Sequence, residues 1–396
     1  MQGSVRKRGK TWSYYFYIGI VNGKKKYKEK GGFKTKGEAS SAMRDAMSDF
    51  ENNGYIEPKK TTFTQVSLKW LEEYVKPLRK ITTYNRYKEL INKYLTPTIG
   101  DMNIIDIHPT NIEDLIIKNK GKISDSTIQS IYTLINTIMN RALKLRIIKD
   151  NPCKYVERPQ REKFEADTLT IDEIQTLLSF LDLDDKFDYM YYIAFQITLE
   201  LGLRRGELAG LTWDNIDLNN NCLKVRNNMI YSNGYVYVSE LKTKESKRDL
   251  YISNDLKESL KELHTKQKKH KLSYGEFYNK NTFNDKDYDL IMIWPDGHYI
   301  HPMYYTNKTK KLLKKSSINK TIRFHDIRHT NATLLLKSNV NMKVVQKRLG
   351  HSNYSTTANI YSHVDIEMQK DATNKLKSSL ADWQKTGKIK NTKSKT

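Results

Sequence analysis

Apolar and polar positions alternate near the start of the chain, and a period of two predicts β-strands. Two aromatic-rich alternating runs, WSYYFYIGIV and KKKYKEK, lie between Thr11 and Lys30 and flank Asn22-Gly23. Asn-Gly is the strongest short signal for a hairpin, because both residues tolerate the positive φ angles of a tight turn. Residues 37–50 then repeat their apolar positions at helical spacing. We therefore predict an N-terminal three-stranded sheet that packs against one helix.

A helical period governs the chain from about Phe63 onward. Apolar residues recur every three or four positions in four successive segments, which predicts four helices that pack together. The third helix is predicted over about 111–119 and the fourth over about 125–145, before Asn151-Pro152 ends it. The first two helices carry the apolar positions Val66, Trp70, Leu71, Tyr74, Val75 and Leu78, then Tyr84, Tyr87, Leu90, Ile91, Tyr94 and Leu95.

A capping box, Thr170-Ile-Asp-Glu173, opens a third region of mixed character. In this motif the Thr side chain caps the helix and the Glu side chain reaches back to the cap. Helices are predicted to about Leu211, and then helices again from about residue 253 to the end. Between them we predict short strands at 222–226, 235–240 and 248–252. The string SELKTKESKRDLYIS predicts that the last two strands form a hairpin whose turn carries lysines.

Polar, charged stretches at 57–62 and 158–163 divide the chain into three regions. The chain as a whole is therefore predicted to be mainly α with small β-sheets, the α+β class. The predicted parts are residues 1–56, 62–158 and 167–384, followed by a disordered Lys-rich tail, 385–396.

Charge indicates the kind of partner. The chain has 69 Lys and Arg against 45 Asp and Glu, a formal net charge of +24. Such a surplus favours binding to a polyanion, above all nucleic acid. No apolar run approaches the length of a bilayer span, and the N-terminus MQGSVRKRGKTW lacks an apolar signal core. We therefore expect a cytoplasmic protein that does not bind a membrane.

The only two cysteines, Cys153 and Cys222, are far apart in the sequence. This spacing predicts neither a disulfide framework nor a zinc finger. His325 and His329 are spaced like the histidines of a zinc-binding HExxH helix, but Asp326 follows the first histidine and Arg328 lies between the two. A cation beside a dication is unfavourable, so we do not expect a metal site here.

Candidate chemistry is concentrated near the C-terminus. The strings RFHDIRHT, LGHSN and NIYSHV place His325, Arg328, His351 and Tyr361 close together in sequence. A phenol, a guanidinium and two imidazoles can cleave a phosphodiester, because the nucleophile needs the anionic oxygens to be neutralised. Any one of the 26 tyrosines is usually a packing or surface residue, so Tyr361 is distinguished only by its neighbours.

Upstream, LGLRRGELAGLTWDNID puts Arg204, Arg205 and Glu207 on one predicted helical turn. Arg204 and Glu207 could form an ordinary surface ion pair worth a few tenths of a kcal/mol. The two glycines and the leucine-rich context favour burial instead, and a buried arginine requires an anion such as a phosphate oxygen.

The strings LGLRRGELAGLTWDNID, FHDIRHT, LGHSN and IYSHV together resemble the signature boxes of the tyrosine recombinases, the phage integrase family. Upstream, YLTPTIGDMNIIDIHPTNIEDL resembles the helical core-binding domain of these enzymes, and residues 3–53 resemble their arm-type DNA-binding domain. The resemblance implies a mixed α/β catalytic domain and a site-specific recombinase that integrates a mobile element.

The resemblance also implies a catalytic set with assigned roles. Arg204 and Arg328 would clamp the scissile phosphate, His325 would be the general base, and His351 would hydrogen-bond the phosphate. Tyr361 would attack to form a 3′-phosphotyrosyl link, and Lys242 would protonate the departing 5′ oxygen, although Lys244 stays an alternative. Glu207 and Asp326 are interpreted as groups that orient Arg204 or the adjacent helices. No metal or other cofactor is expected.

The partners that the resemblance implies are double-stranded DNA, with core and arm attachment sites, and three further copies of the chain in a homotetramer. An excisionase or a host DNA-bending protein is a candidate helper. Two alternatives stay open: a type IB topoisomerase that acts as a monomer, and a catalytically silent DNA-binding regulator.

A last helix is predicted beyond the nucleophile, with an apolar stripe that must be buried somewhere. We expect it to dock on the neighbouring protomer, and docking on its own domain is the alternative. The stripe consists of Met368, Ala372, Leu376, Leu380 and Trp383.

Overall fold

The computed structural model describes residues 3–21, 24–53, 61–161, 166–241, 245–354, 357–358, 373–374, 376–378 and 380. The chain forms two compact units, residues 1–163 and 164–396. Helices dominate, and the strands form small antiparallel sheets. The predicted fold class is confirmed. Within the described part of the chain, none of the helices is long and apolar enough to cross a membrane.

The N-terminal sheet contains strands Gly3–Arg8, Thr11–Val21 and Lys24–Phe33 in sequence order, followed by helix Lys36–Asn53. The last two strands pair antiparallel up to Val21 opposite Lys24, so the predicted hairpin forms, although its turn lies outside the described residues. Successive side chains along each strand point to opposite faces of the sheet. The inner face buries Tyr14, Phe16 and Ile18 against helix residues that include Met43 and Phe50.

The outer face of this sheet carries aromatic and charged side chains. Glu29 lies between two arginines, with its Oε1 atom 3.0 Å from Arg6 Nη2 and 3.2 Å from Arg8 Nη1. The Arg6 guanidinium also stacks over the Tyr15 ring, 4.9 Å from its centroid. Tyr27 packs edge-on against Tyr15 and Tyr17. The side chains on the solvent-facing surface of the sheet therefore contact one another through ion pairs and ring packing.

The four helices predicted after Phe63 are all present. Two of them contain a π-helical turn, which inserts one residue into the hydrogen-bond ladder. Their shared core includes the fully buried Phe63, Leu71, Ile91, Ile131 and Ile135. The helical segments are Phe63–Trp70, Leu71–Val75 and Lys76–Leu78; Ile81–Leu90, Ile91–Leu95 and Thr96–Ile99; Pro109–Asn119; and Asp125–Lys144, with short 3₁₀ turns at Ile104–Asp106 and Pro152–Tyr155.

The second unit is organised around the helix Lys186–Leu201, which we call the central helix. It buries Tyr191, Ile193, Phe195 and Ile197 among the other elements of the unit. Before it lies Ile171–Ser179, whose predicted capping box between Thr170 and Glu173 is confirmed. The helices after it are Arg205–Ala209, Asn254–Tyr274, Met303–Lys315, Asp326–Lys337 and Met342–Leu349.

The strands of this unit differ from the prediction in their pairing. Strand Cys222–Val225 pairs with Arg248–Tyr251, whereas Asn227–Ser232, which was not predicted, pairs with Tyr235–Glu240. The chain bends at Arg226, whose carbonyl accepts a hydrogen bond from Leu241 N at 2.8 Å. Tyr235–Glu240 and Arg248–Tyr251 thus pair with successive parts of the same bent segment. The predicted hairpin between them is wrong.

The helices predicted from about residue 253 onward are interrupted between Tyr274 and Met303. This stretch contains only a 3₁₀ turn, Gly275–Phe277, and the short strands Thr282–Phe283 and Lys286–Asp287. Turn-forming residues explain the difference, since Asn284, Asp285 and Gly297 have φ angles of 51°, 59° and 85°.

Part of the predicted C-terminal helix is described. Residues 373–374, 376–378 and 380 are helical, and Leu376 and Leu380 are 61% and 48% exposed. The other residues of the predicted stripe, Met368, Ala372 and Trp383, lie outside the described residues, as does the tail 385–396. Where this stripe docks stays a prediction.

Candidate active site

Arg204 lies where the chain leaves the central helix. Gly202 ends that helix in a left-handed conformation with φ 64°, and Arg204 is extended, with ψ 150°. Arg204 therefore precedes the helix Arg205–Ala209 as its N-cap residue, and the expectation that it shares a helical turn with Glu207 is wrong. The two residues still pair, because Glu207 Oε2 accepts the Arg204 backbone N–H at 3.0 Å and Oε1 accepts Nη1 at 2.7 Å.

Glu207 is the buried anion of the site, with 1% of its surface exposed. Its Oε2 atom accepts a hydrogen bond from Arg248 Nη2 at 2.9 Å and lies 3.8 Å from Arg328 Nη1. Burial alone would raise the pKa of this carboxyl, but the hydrogen bond and charge of Arg248, with the charge of Arg204, hold it at about 2. Glu207 is therefore ionised at neutral pH.

The end of helix Met342–Leu349 holds the same three arginines. Helix C-termini have carbonyls without intrahelical partners and a partial negative charge. Here three successive carbonyls accept guanidinium donors: Arg348 O from Arg248 Nε at 2.7 Å, Leu349 O from Arg328 Nη2 at 2.6 Å, and Gly350 O from Arg204 Nη2 at 3.0 Å. The carbonyls of the last two helical residues and of the C-cap residue Gly350 thus fix all three guanidiniums.

Gly202 and Gly350 permit this arrangement. The carbonyl of Gly202 accepts Arg328 Nη1 at 2.6 Å. Gly350 has φ 66°, and a Cβ atom added there would lie 2.8 Å from the Glu245 carbonyl and 3.1 Å from Arg248 Nη1. Only glycine has both the left-handed backbone and the missing side chain that this close approach requires.

The cluster has an unbalanced positive charge. Arg204, Arg248 and Arg328 surround one carboxylate, that of Glu207. These four side chains therefore have a net charge of +2. Burial and the charge of Arg204 lower the pKa of Arg328 to about 9, and its guanidinium stays cationic at neutral pH. Arg204 is the more accessible of the pair, with 36% of its side chain exposed, whereas Arg328 has 2% exposed. Such a site can bind an anion.

Two neutral imidazoles accompany the arginines. His325 immediately precedes helix Asp326–Lys337, and its ring meets His329 edge-on, 5.4 Å between centroids. Burial, with the charges of His329 and Arg328, lowers the pKa of His325 to about 4. His351 is buried, with its Nδ1 atom 3.0 Å from Thr357 Oγ1, and burial with Arg328 and Arg204 lowers its pKa to about 3. Neutral imidazoles can accept protons.

The structure brings together four of the six predicted site residues: Arg204, His325, Arg328 and His351. Lys242 and Tyr361 lie outside the described residues, as does the alternative Lys244. Asp326 binds Arg323, through oxygen atoms 2.7 and 2.9 Å from its guanidinium nitrogens, so it orients the start of its own helix.

Sequence reasoning missed Arg248. A sequence signal for its face exists, because Leu250 and Ile252 are the alternating apolar positions of the predicted strand and Arg248 shares their spacing. The structure agrees, since Arg248 and Leu250 are buried and Asp249 and Tyr251 are exposed. Alternation in the strand therefore places Arg248 on the face that packs inward.

Comparison with known proteins agrees with this geometry. Residues 167–368 match the Phage integrase family, residues 4–49 match an Arm DNA-binding domain, and residues 62–119 match the N-terminal SAM-like domain of phage integrases. A tyrosine recombinase XerC-like protein of Caldanaerobacter subterraneus subsp. tengcongensis is 30% identical, over 90% of this chain and 92% of that protein.

Two further proteins with similarity to this chain are named integrases. The ICEBs1 integrase of Bacillus subtilis is 26% identical, over 74% of this chain and 77% of that protein. The Tn1549 transposon integrase, in complex with a circular intermediate DNA, has a similar fold, with a TM-score of 0.67 and 21% identity over 79% of this chain and 99% of that one.

These matches define the class of protein. It is a tyrosine-type site-specific recombinase, an enzyme that breaks and rejoins DNA strands. The chain belongs to the phage integrase family. DNA is therefore its partner, and the predicted family is confirmed.

Substitution of Gly350 by Ala tests the carbonyls that hold the arginines. We expect Gly350→Ala to lower DNA cleavage at least about tenfold and the free energy of unfolding by about 1–3 kcal/mol, because a strained backbone is combined with a clash at Arg248. Gly234→Ala is the matched control, since Gly234 also has positive φ but nothing lies within 4 Å of an added Cβ. Equal cleavage by the two variants, measured on the same DNA, would contradict the role of Gly350.

The free energy of unfolding of the catalytic unit should decrease as the pH is lowered, because of His325 and His351. Their pKa values in the folded chain, about 4 and about 3, lie below the ordinary value of about 6.5, so the unfolded chain binds protons more readily. The contribution is complete above about pH 6.5 and is lost as the pH falls toward about 4.

Urea unfolding midpoints measured between about pH 7 and 5 check this, above the range in which most carboxyls titrate. His325→Asn and His351→Asn should flatten the decline, whereas replacing the exposed His298 by Asn should leave it unchanged. An identical decline in all four proteins would show that the buried imidazoles are not its cause.

Proposed function

We propose that this recombinase integrates and excises a mobile DNA element through a 3′-phosphotyrosyl intermediate. The observation that carries the proposal is the cluster of Arg204, Arg248 and Arg328 around Glu207, with two neutral histidines beside it. The transition state of phosphodiester cleavage gathers negative charge on the non-bridging oxygens, and fixed cations stabilise that charge without reorganising.

In this proposal Arg204 and Arg328 hold the scissile phosphate and His351 hydrogen-bonds it. The Tyr361 phenol oxygen forms a bond to phosphorus while the bond from phosphorus to the 5′ oxygen breaks. His325 takes the phenol proton, and Lys242, or Lys244 in its place, gives a proton to the departing 5′ oxygen. The bound phosphate anion raises the low pKa values of both histidines, which makes His325 a stronger base when DNA is present.

The phosphotyrosyl bond keeps the energy of the phosphodiester that it replaces. The 5′ hydroxyl of another strand can therefore attack it and release Tyr361, which joins the new strand pair without ATP. No step of this sequence requires a metal ion.

We assign the DNA contacts to three parts of the chain: arm sites to residues 1–56, core sites to residues 62–158 and the cleavage site to residues 167–384, with the tail 385–396 beyond them. The outer face of the N-terminal sheet supports the first assignment. Arg6, Arg8 and Tyr15 project there from adjacent strands, and a sheet can dock in the major groove with such side chains. The net charge of +24 supplies the attraction to phosphate.

We propose a homotetramer as the active assembly. Recombination between two duplexes cuts four strands, and one chain supplies one Tyr361 nucleophile. The apolar stripe that includes Leu376 and Leu380 would dock on a neighbouring protomer, which would couple assembly to the position of Tyr361. The name of the Tn1549 transposon integrase supports a mobile element as the substrate. In this proposal the recombinase acts on chromosomal DNA in the cytoplasm, where an excisionase or a DNA-bending protein would select the direction.

Substitution of Tyr361 by Phe tests the nucleophile. On labelled DNA amplified from the sequence that flanks the gene, Tyr361→Phe should form no covalent protein–DNA adduct, because Phe has no oxygen to attack phosphorus, yet should bind within about twofold of the original protein. Tyr354→Phe is the matched control, since this exposed tyrosine lies seven residues earlier and should leave the adduct intact.

An adduct formed by Tyr361→Phe would refute the assignment of the nucleophile. Relaxation of supercoiled DNA by the monomer, without exchange between two sites, would instead favour the topoisomerase alternative. Specific binding by the original protein without any adduct would favour the catalytically silent regulator.

A further inference from the structure

Arg248 is a buried arginine close to the proposed phosphate site, and no step proposed above uses it. It has 8% of its surface exposed and lies at the start of strand Arg248–Tyr251. Its guanidinium donates to Glu207 Oε2 at 2.9 Å, to Arg348 O at 2.7 Å and to Ser246 O at 3.1 Å. All three of its nitrogens are thus engaged within the protein, which makes Arg248 a poor candidate for direct contact with DNA.

The partner that matters is Glu207. The two oxygens of this carboxylate are divided among the guanidiniums: Oε1 accepts Arg204 Nη1, and Oε2 accepts Arg248 Nη2. Oε2 also accepts the backbone N–H of Arg204 at 3.0 Å. Arg328 Nη1 lies 3.8 Å from Oε2, beyond hydrogen-bond distance, and donates to Gly202 O instead. Arg248 therefore occupies the oxygen that Arg328 would otherwise approach.

We propose that Arg248 is a positioning residue for DNA cleavage, which satisfies Glu207 Oε2 so that Arg328 and Arg204 stay directed toward the scissile phosphate. Without Arg248, Glu207 Oε2 would keep the Arg204 backbone N–H, 3.0 Å away, but would lose its charged partner. The buried oxygen would then draw Arg328 away from Gly202 O, since a buried charge needs a partner of opposite charge. The cluster would then offer less positive charge to the phosphate. This inference rests on the proposed roles of Arg204 and Arg328.

The test compares cleavage rates on three DNAs of one sequence, after the original protein has mapped the cleavage position on DNA that flanks the gene. One DNA has the ordinary phosphodiester, one has a methylphosphonate, which carries no charge, and one has a 5′-bridging sulfur, whose thiolate leaves without a proton. Single-turnover rates at saturating protein are measured for the original chain, Arg248→Met, Arg248→Lys and the double variant Glu207→Gln/Arg248→Met.

We expect Arg248→Met to cleave the phosphodiester about a hundredfold more slowly than the original chain, because displacement of Arg328 removes one fixed donor from the developing charge. On the methylphosphonate the deficit should shrink at least about tenfold, because an uncharged substrate does not need the arginine clamp. Arg248→Lys should fall between the two proteins. The double variant should cleave the phosphodiester faster than Arg248→Met, since Gln no longer competes for Arg328.

Lys247→Met is the matched control, because Lys247 is the preceding residue but pairs with Glu240, with Nζ 3.1 Å from Oε2. Its rates should stay within about twofold of the original chain. Equal losses by Arg248→Met on the charged and uncharged DNAs would overturn the inference and indicate general damage to the fold. Full recovery on the 5′-sulfur DNA would also overturn it, because Arg248 would then act through the acid that protonates the leaving group.

Absence of cleavage by the original chain on every DNA would refute the proposed function itself, and the inference with it. If Arg248→Met does not fold, the double variant and Arg248→Lys still test the inference. Arg248→Lys must then cleave the phosphodiester more slowly than the original chain, with a smaller deficit on the methylphosphonate. Equal rates for Arg248→Lys and the original chain on the phosphodiester would contradict the need for the guanidinium geometry.

Discussion

The structure of the second unit depends on how it holds three guanidiniums close together. Like charges at short range repel, and burial removes the water that would screen them. The fold solves this with one ionised carboxylate, Glu207, and with three successive carbonyls at the end of helix Met342–Leu349. Gly202 adds a fourth carbonyl, which holds Arg328 from the side of the central helix. Segments more than 140 residues apart in sequence are thereby joined at one point, as the contact between Arg204 and Gly350 illustrates.

This arrangement has a net positive charge, and some guanidinium N–H donors have no acceptor among the hydrogen bonds described above. An arginine has five N–H donors, and the hydrogen bonds described above use two on Arg204 and two on Arg328. The guanidiniums are therefore fixed by the protein before any substrate binds, and the remaining N–H groups can donate hydrogen bonds to a phosphate. Preorganisation of this kind is how charge in a transition state is stabilised without a reorganisation penalty. The same burial keeps His325 and His351 neutral, because protonated imidazoles would add a fourth and a fifth positive charge to the cluster.

Sequence patterns predicted much of this site because its residues lie in short, local motifs. Arg204, His325, Arg328 and His351 each occur in a string that resembles a family box, and helical periodicity located the elements that carry them. Arg248 was missed because its role depends on strand pairing. The bend at Arg226 sends Tyr235–Glu240 and Arg248–Tyr251 to different partner strands, and no local pattern encodes that register. The N-cap position of Arg204 was missed for a related reason, since the pairing of its backbone with Glu207 appears only once the turn at Gly202 is known.

The most direct test of preorganisation is a crystal structure of the Tyr361→Phe variant bound to DNA that contains its cleavage site, compared with the free protein. We predict that Arg204 and Arg328 keep their hydrogen bonds to Gly350 O and Leu349 O while donating further N–H groups to one phosphate. Loss of both carbonyl contacts on binding, with the guanidiniums moving more than about 2 Å to reach the phosphate, would show that the cluster assembles only on DNA and would contradict preorganisation.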